Sequence, residues 1–339
     1  MTEKILIVGP AWVGDMVMAH SLYQVLAKER GNPVIDVLAP SWTLPLLERF
    51  PEVRRGIELP FSHGTLDLKK RWRLGKSLRS EKYDQAIVLP RSLKSAIIPF
   101  AARAKRRTGY LGEARFGLLN DIRPLDKNKL PRTVDRFVNL GRDSNTVPSQ
   151  DFPLPSLSTK PGDEPQAVME RLGLVGGDGK ILGLCPGAEY GPAKQWPAEH
   201  YAEVARRWSD AGNPVWIFGS RKDAVIAGKI QKLSGNTCVD LCGKTSLLDV
   251  VDLMSRCTAV VTNDSGLMHV AAATGTHVIA IYGGSDPEHT PPLSKGADIL
   301  FTKLECWPCM KRTCRFGHYN CLKRVTPDRV MERMGSWLN

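Results

Sequence analysis

The sequence predicts an α/β protein of two Rossmann-like domains, and three observations carry that expectation. Short β-branched runs alternate with longer helical patterns from the first residues. The alternation stops in a stretch rich in Pro, Ser, Asp and Thr near residues 144–165, and beyond it the alternation resumes. Repeated βα alternation marks a parallel sheet flanked by helices. At 339 residues the chain exceeds one ordinary core of about 100 to 200 residues, so two are expected.

The first half pairs an apolar run at Lys4–Val8 with a helical pattern at Asp15–Arg30, then Val34–Leu38 with Trp42–Phe50, then Gln85–Leu89 with Leu93–Ala102. The second half restarts with Ile181–Cys185, Val215–Phe218, Val239–Leu241, Ala259–Thr262 and His277–Tyr282, each followed by a loop and usually a helix. A last helix is expected over Pro327–Leu338, capped by Thr326 with Pro at its first position. The domains are therefore placed at 1–160 and 161–325, with a helix at 326–339 that could cross back to the first domain. Two such sheets bind ligands beyond the carboxyl ends of their strands, on facing sides of one cleft. Functional residues are expected just after strands.

Hydrophobic content of 42% with 24% charged residues is that of a chain folded throughout. Lys plus Arg outnumber Asp plus Glu by 47 to 35, a formal charge of +12, which points to an anionic partner or else to solubility alone. The apolar run before Gly9 is too short for a signal peptide, and no stretch approaches the roughly 20 apolar residues of a spanning helix. A cytoplasmic protein is expected, with eight cysteines kept reduced.

Four segments carry chemistry. In Val261-Thr262-Asn263-Asp264-Ser265-Gly266-Leu267-Met268-His269 a strand passes through a polar turn into a helix start, whose N–H groups and dipole suit a diphosphate. Gly266 permits close approach and His269 faces the same way; alternatively Asp264 or Ser265 is a cap and His269 packs inside. Cys185 to Pro197, with Gly187, Ala188 and Glu189, is a Gly/Pro loop holding Lys194, which either neutralises a leaving diphosphate or is solvated. Asp223 follows the strand Val215–Phe218, where an acid accepts from ribose hydroxyls or complements a helix dipole. In Val8-Gly9-Pro10-Ala11-Trp12-Val13-Gly14-Asp15 the spacing is not that of a dinucleotide fold. Asp15 reads as a general base for an acceptor hydroxyl or as an N-cap.

Together Gly9 to Met18, Cys185 to Pro197, Thr262 to Ala273, and Tyr282-Gly283-Gly284-Ser285-Asp286-Pro287 followed by Thr290 to Ser294 resemble the ADP-heptose:lipopolysaccharide heptosyltransferases, over nearly the whole chain. The resemblance implies a GT-B architecture, with acceptor on the first domain, ADP-heptose on the second, inversion at the anomeric carbon, and no cofactor or metal required. It implies that Asp15 is the catalytic base, with Lys194 on the diphosphate and Asp223 on the ribose. Gly187, Ala188, Glu189, Asp264, Ser265, Gly266 and His269 would complete the donor pocket, with Thr245 at adenine. The implied acceptor is heptosyl-Kdo2-lipid A, an anionic lipid at the cytoplasmic face of the inner membrane, reached peripherally. Gly14, Lys94, Arg115 and Arg136 are its candidate contacts. The runs Lys69-Lys70-Arg71 and Lys105-Arg106-Arg107 would meet anionic lipid or form a solvated face.

Cys306, Cys309, Cys314 and Cys321 stand near His318. One C-x-x-C is compatible with zinc, but a ribbon would show two, so reduced thiols are expected. A basic nucleic-acid-binding protein is the rival from another class, and the aromatic-basic pattern it needs is not found. Another heptosyltransferase, or another nucleotide-sugar transferase, is the nearer alternative, because acceptor choice lies in loops.

Overall fold

The computed structural model describes residues 2–61, 65–143, 146, 149–158, 165–174 and 180–338. The chain divides into two compact units, Met1–Pro155 and Ser156–Asn339. In the first unit the strands are β1 (Lys4–Val8), β2 (Val34–Ala39), β3 (Val53–Glu58), β4 (Gln85–Val88), β5 (Arg106–Tyr110) and β6 (Asp121–Arg123). They form one sheet in the order β3-β2-β1-β4-β5-β6, with every pairing parallel. The second unit repeats the plan with β7 (Leu182–Cys185), β8 (Val215–Ile217), β9 (Cys238–Asp240), β10 (Ala259–Asn263), β11 (His277–Ile281) and β12 (Ala297–Leu300). Its order, β12-β11-β10-β7-β8-β9, is the same arrangement counted from the other edge. In each sheet the chain reverses its direction of travel between two central strands, β1 and β4 or β7 and β10. That is where such sheets bind ligands.

The central strands form because their side chains are buried on both faces, as parallel sheets require: Ile5, Leu6 and Ile7 are wholly buried, as are Val260 and Val261. The helix Val13–Glu29 is buried along most of its length and ends where Gly31 and Asn32 take positive φ, a conformation that breaks the helical hydrogen-bond ladder.

Charged strands departed from the apolar pattern. Of β3's residues, Arg54 and Arg55 were invisible to a search for apolar runs. They form a strand because buried Asp36 on β2 takes a bond from Arg54 Nε at 2.8 Å and from Arg55 Nε at 3.2 Å. Tyr83 adds its hydroxyl to the same carboxylate at 2.5 Å. The run at Trp42–Phe50 is a 3₁₀ turn over Leu44–Arg49 rather than an α-helix.

The basic run at Lys105-Arg106-Arg107 is likewise paired locally, with Arg106 and Arg107 half-buried and Lys105 exposed. Lys105 pairs with Asp84 at 2.8 Å, Arg106 donates to Gln85 at 2.7 Å, and Arg107 donates to the carbonyls of Leu118 and Ala104 at 2.7 Å. These cations are held by local partners.

The last helix, Pro327–Leu338, was expected as a separate element able to return to the first domain. It buries Val330 and Met334 in the second unit's own core beside Trp196, where burying such a side chain contributes roughly 1.5 to 3 kcal/mol. The Trp196 indole donates to Val325 O at 2.8 Å just before this helix. Among the described residues no helix is long and apolar enough to cross a membrane.

Candidate functional site

In the second unit the loops after β7, β8 and β10 converge. Asn263, the last residue of β10, is fully buried and joins them. Its amide donates to the carbonyls of Pro186 and Gly187 at 2.8 and 3.2 Å. Its carbonyl oxygen accepts from Trp196 N and from the Tyr201 hydroxyl, each at 3.0 Å. One amide thus fixes the loop carrying Gly187, Ala188, Glu189 and Lys194 against the strand leading to Asp264.

Lys194 Nζ lies 2.5 Å from Asp264 Oδ2, and the Ser285 hydroxyl donates to the same oxygen at 2.6 Å. Asp264 is therefore a counterion and acceptor rather than a helix cap. Ser265 holds the cap position of the helix Gly266–Ala273 with extended backbone and makes no side-chain cap bond. The first-turn N–H groups that begin at Gly266 have no partner within their own helix, as at any helix start, and they concentrate the positive end of its dipole.

His269 lies within this helix and is 5% exposed. Burial, opposed by Asp264 and reinforced by Lys194, pushes its imidazole down from 6.5 to about 4, so it is neutral at neutral pH. Between those two values the unfolded chain binds more protons at His269 than the folded one. Its contribution is complete above about pH 6.5 and is lost as pH falls toward 4. Urea midpoints measured across that window are expected to fall less steeply in His269→Gln than in the parent.

Asp223 closes the short turn after β8, accepting from Ser220 N at 2.8 Å and Ser220 Oγ at 2.7 Å. A Cβ on Gly187 would stand 2.6 Å from Asp223 Oδ1, so only glycine there leaves the carboxylate room. Glu189 is exposed and paired with Lys222 at 2.8 Å. Thr245 sits after β9, half-buried, with its hydroxyl 3.5 Å from Leu241 O.

In the first unit the loops after β1 and β4 border a cavity of about 550 Å³. Asp15 lines it from the third position of its helix. The cap position belongs to Trp12, whose side chain makes no cap bond, so the N-cap reading of Asp15 is corrected: it lies three residues past the cap, within the first turn. Gly14, beside it, is buried. Lys94 and Arg136 line the same cavity, and so do Arg71 and Arg91. Among the lining residues the cations number four and the carboxylates one, Asp15.

Arg71 was grouped with a surface run, but it turns inward. Only 7% of it is exposed, it donates to Leu66 O and Thr65 O at 2.6 and 3.1 Å, and it lies 4.2 Å over the Phe61 ring. Trp12 and Trp42, 52% and 44% exposed, add flat apolar walls of the kind on which sugar rings stack.

Arg115 is the residue whose expected role changes most. It is 1% exposed and does not line the cavity. Its guanidinium donates to Pro90 O at 2.7 Å, Ser95 Oγ at 3.1 Å and Tyr110 O, while burial lowers its pKa. Glu113 takes Leu93 N at 2.7 Å, and Gly112 leaves room for the Arg91 carbonyl. The segment Gly112–Arg115 therefore braces from behind the loop that presents Arg91 and Lys94. The expectation of direct acceptor contact by Arg115 is corrected to positioning.

Cys306, Cys309, Cys314 and Cys321 are free thiols, each half-buried. Cys314 Sγ is 3.9 Å from His318 Nδ1, and among the described residues no group of three or more His, Cys, Asp or Glu is arranged to hold a metal.

Reasoning from sequence passed over Asn263, Ser285, Arg91 and the inward role of Arg71. The first two stood inside stretches already singled out, Thr262 to Ala273 and Tyr282 to Pro287. What identifies them is a partner on another loop.

The model of the family "Glycosyltransferase family 9 (heptosyltransferase)" matches residues 71–320. Lipooligosaccharide heptosyltransferase 2 of Haemophilus influenzae is 46% identical, with 99% of each chain covered. Lipopolysaccharide heptosyltransferase 2 of Escherichia coli K12 is 42% identical over 99% of this chain and 98% of its own. The solved structure of E. coli ADP-heptose LPS heptosyltransferase II superposes with a TM-score of 0.87 at 40% identity, covering 98% of both chains.

Proposed function

Because the chain belongs to glycosyltransferase family 9, the heptosyltransferases, we propose that it transfers heptose from ADP-heptose to the first heptose of the lipopolysaccharide inner core, with heptosyl-Kdo2-lipid A as acceptor. The observation that carries the acceptor side is the first unit's cavity, where Arg71, Arg91, Lys94 and Arg136 surround one carboxylate, Asp15. Four cations suit an acceptor bearing carboxylates and phosphates, and the exposed Trp12 and Trp42 suit its sugars.

The chemistry is a single displacement. Asp15 takes the proton of the acceptor hydroxyl as that oxygen attacks the anomeric carbon, and ADP leaves from the opposite face, so configuration inverts. Charge growing on the departing diphosphate is met by Lys194 and by the N–H groups at Gly266, donors already in place before reaction. Asp223 accepts from the ribose hydroxyls in this reading. Thr245 lies toward adenine.

No metal or cofactor is required on this reading, since a lysine and a helix start answer the leaving group's charge. Turnover is therefore expected to be unchanged by EDTA; loss that Mg²⁺ restores would contradict it. The lipid acceptor places the enzyme at the cytoplasmic face of the inner membrane as a peripheral protein. Failure to sediment with acceptor-bearing vesicles at low salt would remove that placement.

The deciding assay supplies ADP-heptose with acceptors bearing zero or one heptose. Transfer to the mono-heptosylated acceptor alone is expected. Transfer to bare Kdo2-lipid A would assign the enzyme to the preceding step.

A further inference from the structure

The donor loops of the second unit are electrically neutral. The charged side chains after β7, β8 and β10 are Glu189, Lys194, Arg221, Lys222, Asp223 and Asp264, three of each sign. Lys194 is engaged by Asp264 at 2.5 Å and Lys222 by Glu189 at 2.8 Å. A nucleoside diphosphate brings two or more negative charges, and a helix start offers only about half a charge in return. Of the three cations only Arg221 has no carboxylate partner among the described residues, so a second uncommitted cation close to Lys194 would improve the charge balance.

The segment between β12 and the last helices supplies one. Residues 302–319 contain no regular element, yet their backbone is fastened to the Lys194 loop. Ala193 N donates to Arg312 O at 3.0 Å, and Met310 N donates to Gly284 O at 2.9 Å. The Tyr190 hydroxyl donates to Met310 O at 2.9 Å. Gly191, at φ +139°, makes the approach possible, because a Cβ there would stand 2.7 Å from the Arg312 carbonyl oxygen.

This docking sets Arg312 beside Tyr190, with its guanidinium carbon 5.5 Å from the ring centre. Lys194 Nζ lies 5.0 Å from the same ring. Arg312 is exposed, and no carboxylate among the described residues pairs with it.

We propose that Arg312 is a donor-binding residue, whose guanidinium supplies a second fixed cation beside Lys194 for the diphosphate of ADP-heptose. The inference rests on the donor reading given above. Tyr190 positions both cations through its ring face, a contact that favours cations held within about 6 Å. Arginine also suits the role chemically, because its fork can grip two phosphate oxygens at once.

The test uses the full chain and titrates ADP and adenosine by calorimetry or NMR, with KM for ADP-heptose measured alongside. Arg312→Gln is expected to weaken ADP by about tenfold, roughly 1.4 kcal/mol, and to raise KM for ADP-heptose similarly. Adenosine affinity should stay at the parent value, since adenosine carries no phosphate. Arg312→Lys is expected to recover part of the loss, the share owed to charge rather than to the two-oxygen grip. All substitutions keep the carbonyl that docks the segment, and an unchanged thermal midpoint checks the fold. Equal ADP affinity in parent and Arg312→Gln would overturn the assignment of Arg312 alone. An equal loss of adenosine binding would overturn it in favour of a structural role. Failure of the parent to bind ADP would sink the donor reading itself.

Discussion

Asp15→Asn is expected to lower kcat for heptose transfer by about 10²-fold to 10⁴-fold, the range that a positioned general base supplies, while leaving ADP-heptose binding intact. The substitution keeps the shape of the side chain and removes only its ability to accept a proton. Asp15 stands in the first helical turn, so its charge also favours the helix dipole, and losing that is worth about 0.3 to 1 kcal/mol. A small drop in the thermal midpoint should therefore accompany a large drop in turnover. The proposed donor-binding residues belong to the second unit, so a loss confined to kcat is expected, with the dissociation constant of ADP-heptose unmoved. Near-normal turnover in a folded variant would remove Asp15 from the role of base. A parallel loss of donor affinity would instead mean that the substitution had disturbed more than one carboxylate.

The fold was legible where burial decided it. The strands β1, β4, β7, β10 and β11 are covered on both faces, and residues such as Ile5, Ile87, Leu184, Val261 and Ile279 print that environment on the sequence as unbroken apolar runs. The edge strand β3 was illegible, because Arg54 and Arg55 owe their places to Asp36, and nothing local announces a partner so far away in sequence. The same separation divides the candidate site. Lys194, Asp223 and Asp264 were legible because each follows a strand, the position where such sheets hold ligands.

Arg115 misled for the converse reason. The resemblance put it among the acceptor contacts, and only its burial, with donors aimed at Pro90, Ser95 and Tyr110, shows that it supports the loop. Basic runs are the general case. Of Lys69-Lys70-Arg71 and Lys105-Arg106-Arg107, charge alone gives the composition. Direction comes from the fold, which turns Arg71 into the cavity and commits Arg107 to two backbone carbonyls.

Lys194→Met should lower turnover by about 10²-fold to 10³-fold, the usual cost of removing one donor from a developing negative charge. That result alone would be ambiguous, because Lys194 also neutralises Asp264, whose side chain is only 4% exposed. Stripping one partner from a buried pair costs about 3 to 5 kcal/mol. Lys194 itself is 18% exposed, so solvent screening places the expected loss at the lower end. Stability and turnover would fall together, and the lysine could be serving the fold.

Adding Asp264→Asn separates the two roles. The double variant no longer buries an unpaired carboxylate, and its amide still accepts from the Ser285 hydroxyl that now donates to Asp264. The chemical denaturation midpoint should return most of the way to the parent. Turnover should not return, since the charge on the departing diphosphate still lacks its ammonium. Recovery of both would show that Lys194 acts only as the counterion of Asp264. Recovery of stability alone, with the single Asp264→Asn variant still turning over, would place the ammonium on the leaving group.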